Sequence, residues 1–83
     1  MMTPNDFANQ LGSGIYHIEF NKLDGTLRKM RATRMVAYIP ADKSPKNSSE
    51  IVPGQRSVAV FDLDLQEWRS VVVDNIVKME GVN

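Results

Sequence analysis

The segment IYHIEFNKLDGTLRKMRATR, residues 15–34, decides the fold of this chain. In its first half, aromatic and aliphatic residues alternate with polar ones, and this period of two predicts a half-buried strand. The pair Asp24-Gly25 then predicts a hairpin turn, because both residue types tolerate a positive φ. Residues 27–34 predict the returning strand. Neither of its faces is purely apolar, so we expect one end of it to lie open to solvent.

Segments on both sides of this hairpin complete a small, mainly β fold. Residues 3–11 predict a short helix, since Thr3 suits the N-cap and Pro4 suits the first helical position. Three more strands are predicted at residues 57–63, 68–73 and 76–80. Five short strands in a meander, preceded by a short helix, predict a five-stranded SH3-like or Sm-like barrel over residues 14–80. With 83 residues, we expect a single domain spanning residues 1–83.

Two stretches between these elements are less regular. Residues 35–39 fit either a continued strand or a helical turn. Residues 40–55 contain three prolines and a glycine and predict a long loop, which in so small a domain is unusual and often functional or disordered.

The composition excludes several classes of function. The chain has one histidine, His17, and no cysteine, so we expect no metal site and no cofactor. No carboxylate pair or nucleophile arrangement typical of an enzyme is present, and we expect the protein not to be an enzyme. No apolar run is long enough to span a membrane, and the first residues do not resemble a secretion signal. We therefore expect no membrane partner and a cytoplasmic location.

Positive charge is concentrated in one part of a chain whose formal net charge is zero. Residues 26–49 hold six basic residues and one acidic residue, whereas the segments on either side have an acidic excess. Basic residues bind phosphates, and exposed aromatic residues stack on bases. The candidate residues for binding nucleic acid or a partner are Arg28, Lys29, Arg31, Arg34, Tyr38, Lys43, Lys46, Trp68 and Arg69.

The basic strand also has a purely structural interpretation. Charges on an edge strand prevent aggregation, and these cations are able to pair with Glu19, Asp62 or Glu67 on neighbouring strands. Trp68 opens a strand in a chain with a small core, and burial in that core is the more common role for such a residue.

Four short motifs carry a resemblance to a known family. They are DGTLRKMRAT at residues 24–33, VFDL at 60–63, WRS at 68–70 and DNI at 74–76. Together they resemble the small, mostly phage-encoded WYL-like proteins with an Sm-like SH3 barrel. The resemblance implies the barrel fold and a bacteriophage or prophage origin. Larger WYL domains sit in bacterial regulators and sense or bind nucleic acids, and this chain has Trp68-Arg69-Ser70 in place of a Trp-Tyr-Leu tripeptide.

Three hypotheses follow for a protein that works by binding. The first is a small nucleic-acid-binding barrel that uses the basic strand and loop. The second is a protein interaction module that modulates or inhibits a host enzyme or defence protein, for which the uneven charge would steer an acidic partner. The third is an Sm-like homo-oligomer that binds RNA or a nucleotide. The strong salt dependence of phosphate contacts separates the first from the second.

Overall fold

The structure is a computed structural model that describes residues 2–43 and 54–82. One α-helix precedes five β-strands. The elements are α1 (Pro4–Leu11), β1 (Ile15–Asn21), β2 (Leu27–Thr33), β3 (Ser57–Asp62), β4 (Glu67–Val72) and β5 (Ile76–Val82). The predicted helix and all five predicted strands are therefore confirmed, with differences of one or two residues at their ends. Most of the predicted loop at residues 40–55 lies outside the described residues.

All five strands join one antiparallel sheet in the order β4-β3-β2-β1-β5. The two outermost strands of this sheet are β4 and β5. The pairing of β1 with β5 shifts register after Glu19, because Glu19 aligns with Lys78 whereas Phe20 aligns with Ile76. The intervening Val77 is the extra residue of a β-bulge and its side chain is 58% exposed.

The helix α1 begins with the cap that the sequence predicts. The Thr3 hydroxyl accepts a hydrogen bond from the Asp6 backbone N–H, and the Asp6 carboxylate accepts one from the Thr3 N–H. This reciprocal capping box satisfies two of the amide groups that a helix start leaves unpaired. The apolar side of the helix buries Phe7 and Leu11, and α1 packs against β3.

The core lies on one side of the sheet, which we call the inner face. In β1 and in most of β2 the buried residues alternate with more exposed ones, as a period of two requires, whereas β3 buries Val60, Phe61 and Asp62 in succession. The buried core comprises Phe7, Leu11, Ile18, Phe20, Met30, Ala32, Val58, Val60, Val71 and Val73. Burying one such large side chain stabilises the fold by about 1.5–3 kcal/mol, so this small cluster supplies the main favourable term.

The hairpin between β1 and β2 uses a three-residue turn. The Gly25 N–H donates to the Lys22 carbonyl, and the Lys22 N–H donates to the Thr26 carbonyl. Gly25 has a φ of 91°, whereas Asp24 does not adopt a positive φ. The turn is thus of the type that ends in a glycine bulge. It leaves Leu23 at the tip, with its side chain 95% exposed.

Residues 35–39 form a helical turn and do not continue the strand β2, so the second of the two predicted structures is the one observed. Val36–Tyr38 and Ala41–Lys43 are short 3₁₀ helices that carry the chain away from the end of β2. The β4–β5 connection contains a third, Val73–Asn75, where the sequence predicts a short turn.

Thr33 joins the end of β2 to the helix–strand connection. Its fully buried hydroxyl lies within hydrogen-bonding distance of the Leu11 and Gly14 carbonyls, at 3.2 and 2.8 Å, and accepts a hydrogen bond from the Met35 N–H. A hydroxyl has one proton to donate, so the two carbonyls share it. One side chain thereby serves three backbone groups.

Replacing Thr33 with valine keeps the side-chain shape but removes these hydrogen bonds. We expect the free energy of unfolding to fall by about 1–3 kcal/mol, the cost of leaving buried polar groups unsatisfied. Urea denaturation of the variant measures this loss. Thr33→Ser is the control, because it retains the hydroxyl, and it should lose less than the valine variant. Equal stability of the valine variant and the native protein would contradict the role given to the hydroxyl.

A candidate ligand-binding cavity

Two arginines lie on the inner face of the sheet, at one end of the core. Arg28, Met30 and Ala32 are two positions apart on β2, so their side chains project to the same face, and Met30 and Ala32 are buried there. Arg69 aligns across the β3–β4 pair with the buried Val60. Residues directly opposite each other in an antiparallel pair project to the same side. Both side chains therefore project from the core side of the barrel and not from its outer surface.

Asp62 holds Arg28 in place from the next strand. The Asp62 side chain is fully buried, and its Oδ2 lies 3.1 Å from Arg28 Nη2. Its Oδ1 accepts hydrogen bonds from the backbone N–H groups of Asp64 and Leu65, at 2.9 and 3.0 Å. The carboxylate is thus fixed by the turn that follows β3. A carboxylate held in this way gives the Arg28 guanidinium a defined orientation.

Both arginines keep unused hydrogen-bond donors. Arg69 Nη2 lies 3.5 Å from a Glu67 carboxylate oxygen, and Arg28 uses Nη2 for Asp62. The Nε atoms of both are out of contact with solvent and have no hydrogen-bond partner among the described residues. A guanidinium has five N–H donors. The site therefore has more donors than acceptors, an arrangement suited to an oxyanion.

These arginines line a cavity of about 500 Å³ between the β1–β2 turn and the β4–β5 connection. This volume is within the range typical of small-ligand sites. The apolar part of its wall consists of Phe20, Leu23 and Val72. The uncharged polar part consists of Asn21, Ser70 and Asn75. The wall is thus mainly apolar with a few polar groups that converge on it.

Positive charge predominates in the lining of this cavity. Lys22 from the turn joins Arg28 from β2 and Arg69 from β4, whereas Asp24 is the one acidic lining residue. Hydrogen bonds from the Thr26 hydroxyl and backbone N–H lower the pKa of the Asp24 carboxyl below its usual value. The Asp24 carboxylate is therefore hydrogen-bonded within its own turn, and the charge of Lys22 also contributes to the lowered pKa.

The other cations predicted on β2 do not reach this cavity. Arg31 lies on the outer face and holds Asp64 through its backbone N–H, Nε and Nη2, at 2.9–3.1 Å. These bonds lower the pKa of the Asp64 carboxyl. Lys29 is exposed and aligns with Glu19 on β1. Arg34 is half-buried, and this desolvation lowers the pKa of its guanidinium.

The predicted aromatic residues and the loop lysine form a separate region. The Trp68 indole N–H donates to the Lys43 carbonyl at 2.6 Å, and its ring packs edge-on against Phe61 with centroids 5.6 Å apart. Lys43 Nζ donates to the Gln66 carbonyl. Trp68 is half-buried by these contacts, while Tyr38 is 49% exposed. Lys46 lies outside the described residues.

The eight predicted residues that the structure describes thus do not form a single surface. Arg28 and Arg69 meet in the cavity, and Lys43 and Trp68 meet beside the β3–β4 turn. Sequence reasoning missed four polar residues of the cavity, which are Asn21, Lys22, Ser70 and Asn75. It considered Asp62 as one possible partner of the basic strand. The sequence held a sharper signal for this ion pair. Asp62 is two positions beyond Val60 and four beyond Val58, so it projects to the same inner face, where a buried charge requires a charged partner.

Other kinds of site find no support in the part of the chain that the structure describes. Residues 2–43 and 54–82 contain no group of three or more side chains placed to hold a metal ion. Asp62 and Asp64 each bind an arginine. Within the same residues, no helix has the length and apolar character needed to cross a membrane.

The strand order and the short helix α1 define the protein as a small antiparallel barrel of the Sm-like or SH3-like class. The chain belongs to the WYL_2 family, described as an Sm-like SH3 beta-barrel fold, whose model matches residues 5–77. Both the predicted fold and the predicted family are confirmed.

A relative from a bacteriophage supports this assignment. The chain is 29% identical over 80 residues to an "Uncharacterized 11.5 kDa protein in Gp31-cd intergenic region" from Enterobacteria phage T4. The match covers 88% of this chain and 72% of the relative. No solved structure matches the chain significantly. The protein is therefore related to a small phage-encoded protein.

Proposed function

We propose that this protein acts by binding nucleic acid, without catalysing a reaction, and that the phosphates contact the cavity on the inner face. One observation carries the proposal. Three cations from three separate elements, Lys22, Arg28 and Arg69, converge on a cavity of about 500 Å³. Cations brought together from distant parts of a chain repel one another, and a bound anion would add to the compensation that Asp62 and Glu67 already give Arg28 and Arg69. The phage relative supports a setting in the cytoplasm of an infected bacterium.

The cavity suits this role better than the outward cations of β2. Arg31 already makes three hydrogen bonds to Asp64, and Lys29 lies opposite Glu19 in the β1–β2 register. A phosphate that bound Arg31 would have to displace Asp64. In the cavity, by contrast, Arg69 has a long contact of 3.5 Å with Glu67, and Arg28 gives Asp62 its Nη2 and keeps its other N–H groups.

A second candidate function is the binding of a host protein, and the turn tip favours it. The Leu23 side chain is 95% exposed at the rim of the cavity. A large apolar side chain at the tip of a turn is able to insert into a pocket on a partner. Leu23→Ser separates the two functions. It should abolish a protein complex that depends on this anchor, whereas the salt-dependent binding of phosphate by the three cations should persist, with at most the loss of the apolar contact between Leu23 and a base.

The salt dependence of binding tests the proposed function. Three cations that neutralise the phosphate charge of a single strand predict a slope of about −2 in log K against log salt, so affinity should fall about 20-fold from roughly 50 to 200 mM salt. Fluorescence anisotropy with labelled single-stranded and duplex oligonucleotides measures this fall. Lys22→Gln should reduce the slope by about 0.7, because one of the three cations is lost.

The matched control for this experiment is Arg31→Gln, which removes one positive charge from the outer face. It should leave the slope nearly unchanged. If Arg31→Gln weakens binding as much as Lys22→Gln does, the phosphates lie along the outer face of β2 and the cavity is not the site. If no oligonucleotide binds even at the lower salt, the proposed function is wrong.

A further inference from the structure

We infer that the cavity holds a single nucleotide that ends in a phosphate monoester, with the phosphate against Arg28, Arg69 and Lys22. This inference rests on the proposed function and names the part of a nucleic acid that the site recognises. A free nucleoside monophosphate and the phosphorylated end of a strand share this chemistry, and the experiment below distinguishes them.

The arrangement of donors favours a terminal phosphate over an internal one. A phosphate monoester presents three strong acceptor oxygens and a charge near −2 at neutral pH. An internal phosphodiester presents two unshared oxygens and a single charge. Three cationic side chains line the cavity, so each oxygen of a monoester finds its own donor. A diester would leave one of the three cations without a phosphate partner.

The unsatisfied Nε atoms of the two arginines support the same ligand. Arg28 and Arg69 bind their carboxylates through Nη2, and their Nε atoms find no partner among the described residues. Leaving a buried donor unpaired is costly. The Nε atom together with an Nη atom forms the fork with which arginine binds two oxygens of a phosphate. A phosphate that turned the Arg69 guanidinium toward itself would satisfy the unpaired Arg69 Nε, whereas Arg28 would bind the phosphate through the N–H groups that Asp62 does not use.

Arg69 is the side chain better placed to turn in this way. Its contact with Glu67 is long, at 3.5 Å, and both side chains are substantially exposed, at 39% and 59%. Exposed ion pairs of this kind are weak. Asp62, in contrast, is fully buried and tied to its turn, so Arg28 keeps its place when a ligand enters. Arg28 thus provides a fixed contact and Arg69 an adjustable one.

The size and the remaining wall of the cavity fit one nucleotide. A volume of about 500 Å³ accommodates a single nucleotide but not a duplex. The apolar side chains of Leu23 and Val72 offer a surface for the base. Asn21, Ser70 and Asn75 provide donors and acceptors for the edge of the base or for sugar hydroxyls. The protein should therefore prefer single-stranded ends.

The test compares short single strands of one sequence that carry a 5′-phosphate, a 3′-phosphate or hydroxyls at both ends, together with a free nucleoside monophosphate and its nucleoside. Isothermal titration calorimetry with the full chain measures each affinity. We expect a phosphate at one of the two ends to raise the affinity about tenfold or more, since charge-assisted hydrogen bonds are among the strongest in proteins. The monophosphate should bind and the nucleoside should not.

Arg69→Gln should reduce the affinity for the phosphorylated strand to that for the hydroxyl strand. Arg31→Gln, with the same change of charge on the outer face, should preserve the difference. Thermal unfolding of both variants checks that they remain folded. We expect both to fold because the two arginine side chains are substantially exposed. Lys22→Gln is the second cavity variant. Lys22 is exposed in a turn, so its replacement should reduce the preference for a terminal phosphate without affecting folding.

The outcomes separate the inference from the proposed function. Equal affinities for phosphorylated and hydroxyl strands would overturn the inference and leave the proposed function intact. A third outcome is that the native protein binds the monophosphate but no strand, and that Arg69→Gln no longer binds the monophosphate. This outcome would support the inference and overturn the proposed function. A preference for the phosphorylated strand that persists in both cavity variants would place the phosphate elsewhere and overturn the inference.

Discussion

Replacing Asp62 with alanine is expected to destabilise the protein by about 3–5 kcal/mol, because it leaves the partly buried Arg28 guanidinium without its carboxylate. The Asp64 and Leu65 N–H groups lose their acceptor in the same variant. A domain of this size has a total stability of about 5–15 kcal/mol, so the loss is a large share. It should lower the Tm by roughly 12–40 °C, at about 4–8 °C for each kcal/mol.

Two further variants separate the functions of this carboxylate. Asp62→Asn keeps an oxygen for the turn but removes the charge, so it should cost less than Asp62→Ala. Adding Arg28→Leu to Asp62→Asn removes the unpaired cation and should restore part of the stability, since replacing both members of a buried pair is often tolerated. Asp64→Ala is the control. Its ion pair is exposed and should contribute at most about 1 kcal/mol. An Asp62→Ala variant as stable as Asp64→Ala would show that Arg28 does not need this partner.

Replacing Phe7 with alanine is the second change with a large expected effect. Phe7 is fully buried and belongs to the core cluster, on the side where α1 packs against β3. Truncating a buried phenylalanine costs about 3–5 kcal/mol, from the lost burial and from the cavity left behind. We expect this variant to unfold at a much lower urea concentration than the native protein does. The helix is thus an essential part of the barrel's core.

The control for this change is Asn9→Ala, at an exposed position on the same helix. It should change the stability by about 0.5 kcal/mol or less. If Phe7→Ala were similarly mild, the helix would be a dispensable attachment and not part of the core. A variant that retains the sheet signal in circular dichroism but loses cooperativity would also contradict a single packed core.

The fold followed from the sequence because local and global signals agree along most of the chain. Alternation in β1, the Asp24-Gly25 turn and the Thr3 cap each specify a local structure, and each appears in the structure. Residues 35–39 were ambiguous because a short apolar run fits a strand and a helical turn equally well. In the structure these residues form a 3₁₀ turn at Val36–Tyr38 and not a strand.

The site was only partly predictable. The sequence identified Arg28 and Arg69 as candidate binding residues, yet it grouped them with cations that the pleat places on the opposite face. Arg28 and Asp62 are 34 positions apart, and their pairing depends on the β2–β3 register, which no local pattern specifies. Lys22 joins the cavity because the β1–β2 turn lies beside the β4–β5 connection. Contacts of this kind arise from tertiary structure and leave little trace in sequence spacing.

The measurement that most directly tests the cavity as the binding site is a ¹⁵N NMR titration that follows the arginine Nε–Hε signals. The ligand is a short, 5′-phosphorylated single strand, with a 3′-phosphorylated strand run in parallel. With at least one of the two strands, we predict that the Arg28 and Arg69 signals shift and saturate together, because one phosphate binds both guanidinium groups, whereas the Arg31 signal stays in place. Saturating shifts at Arg31, with Arg28 and Arg69 unchanged, would contradict the account and place the nucleic acid on the outer face.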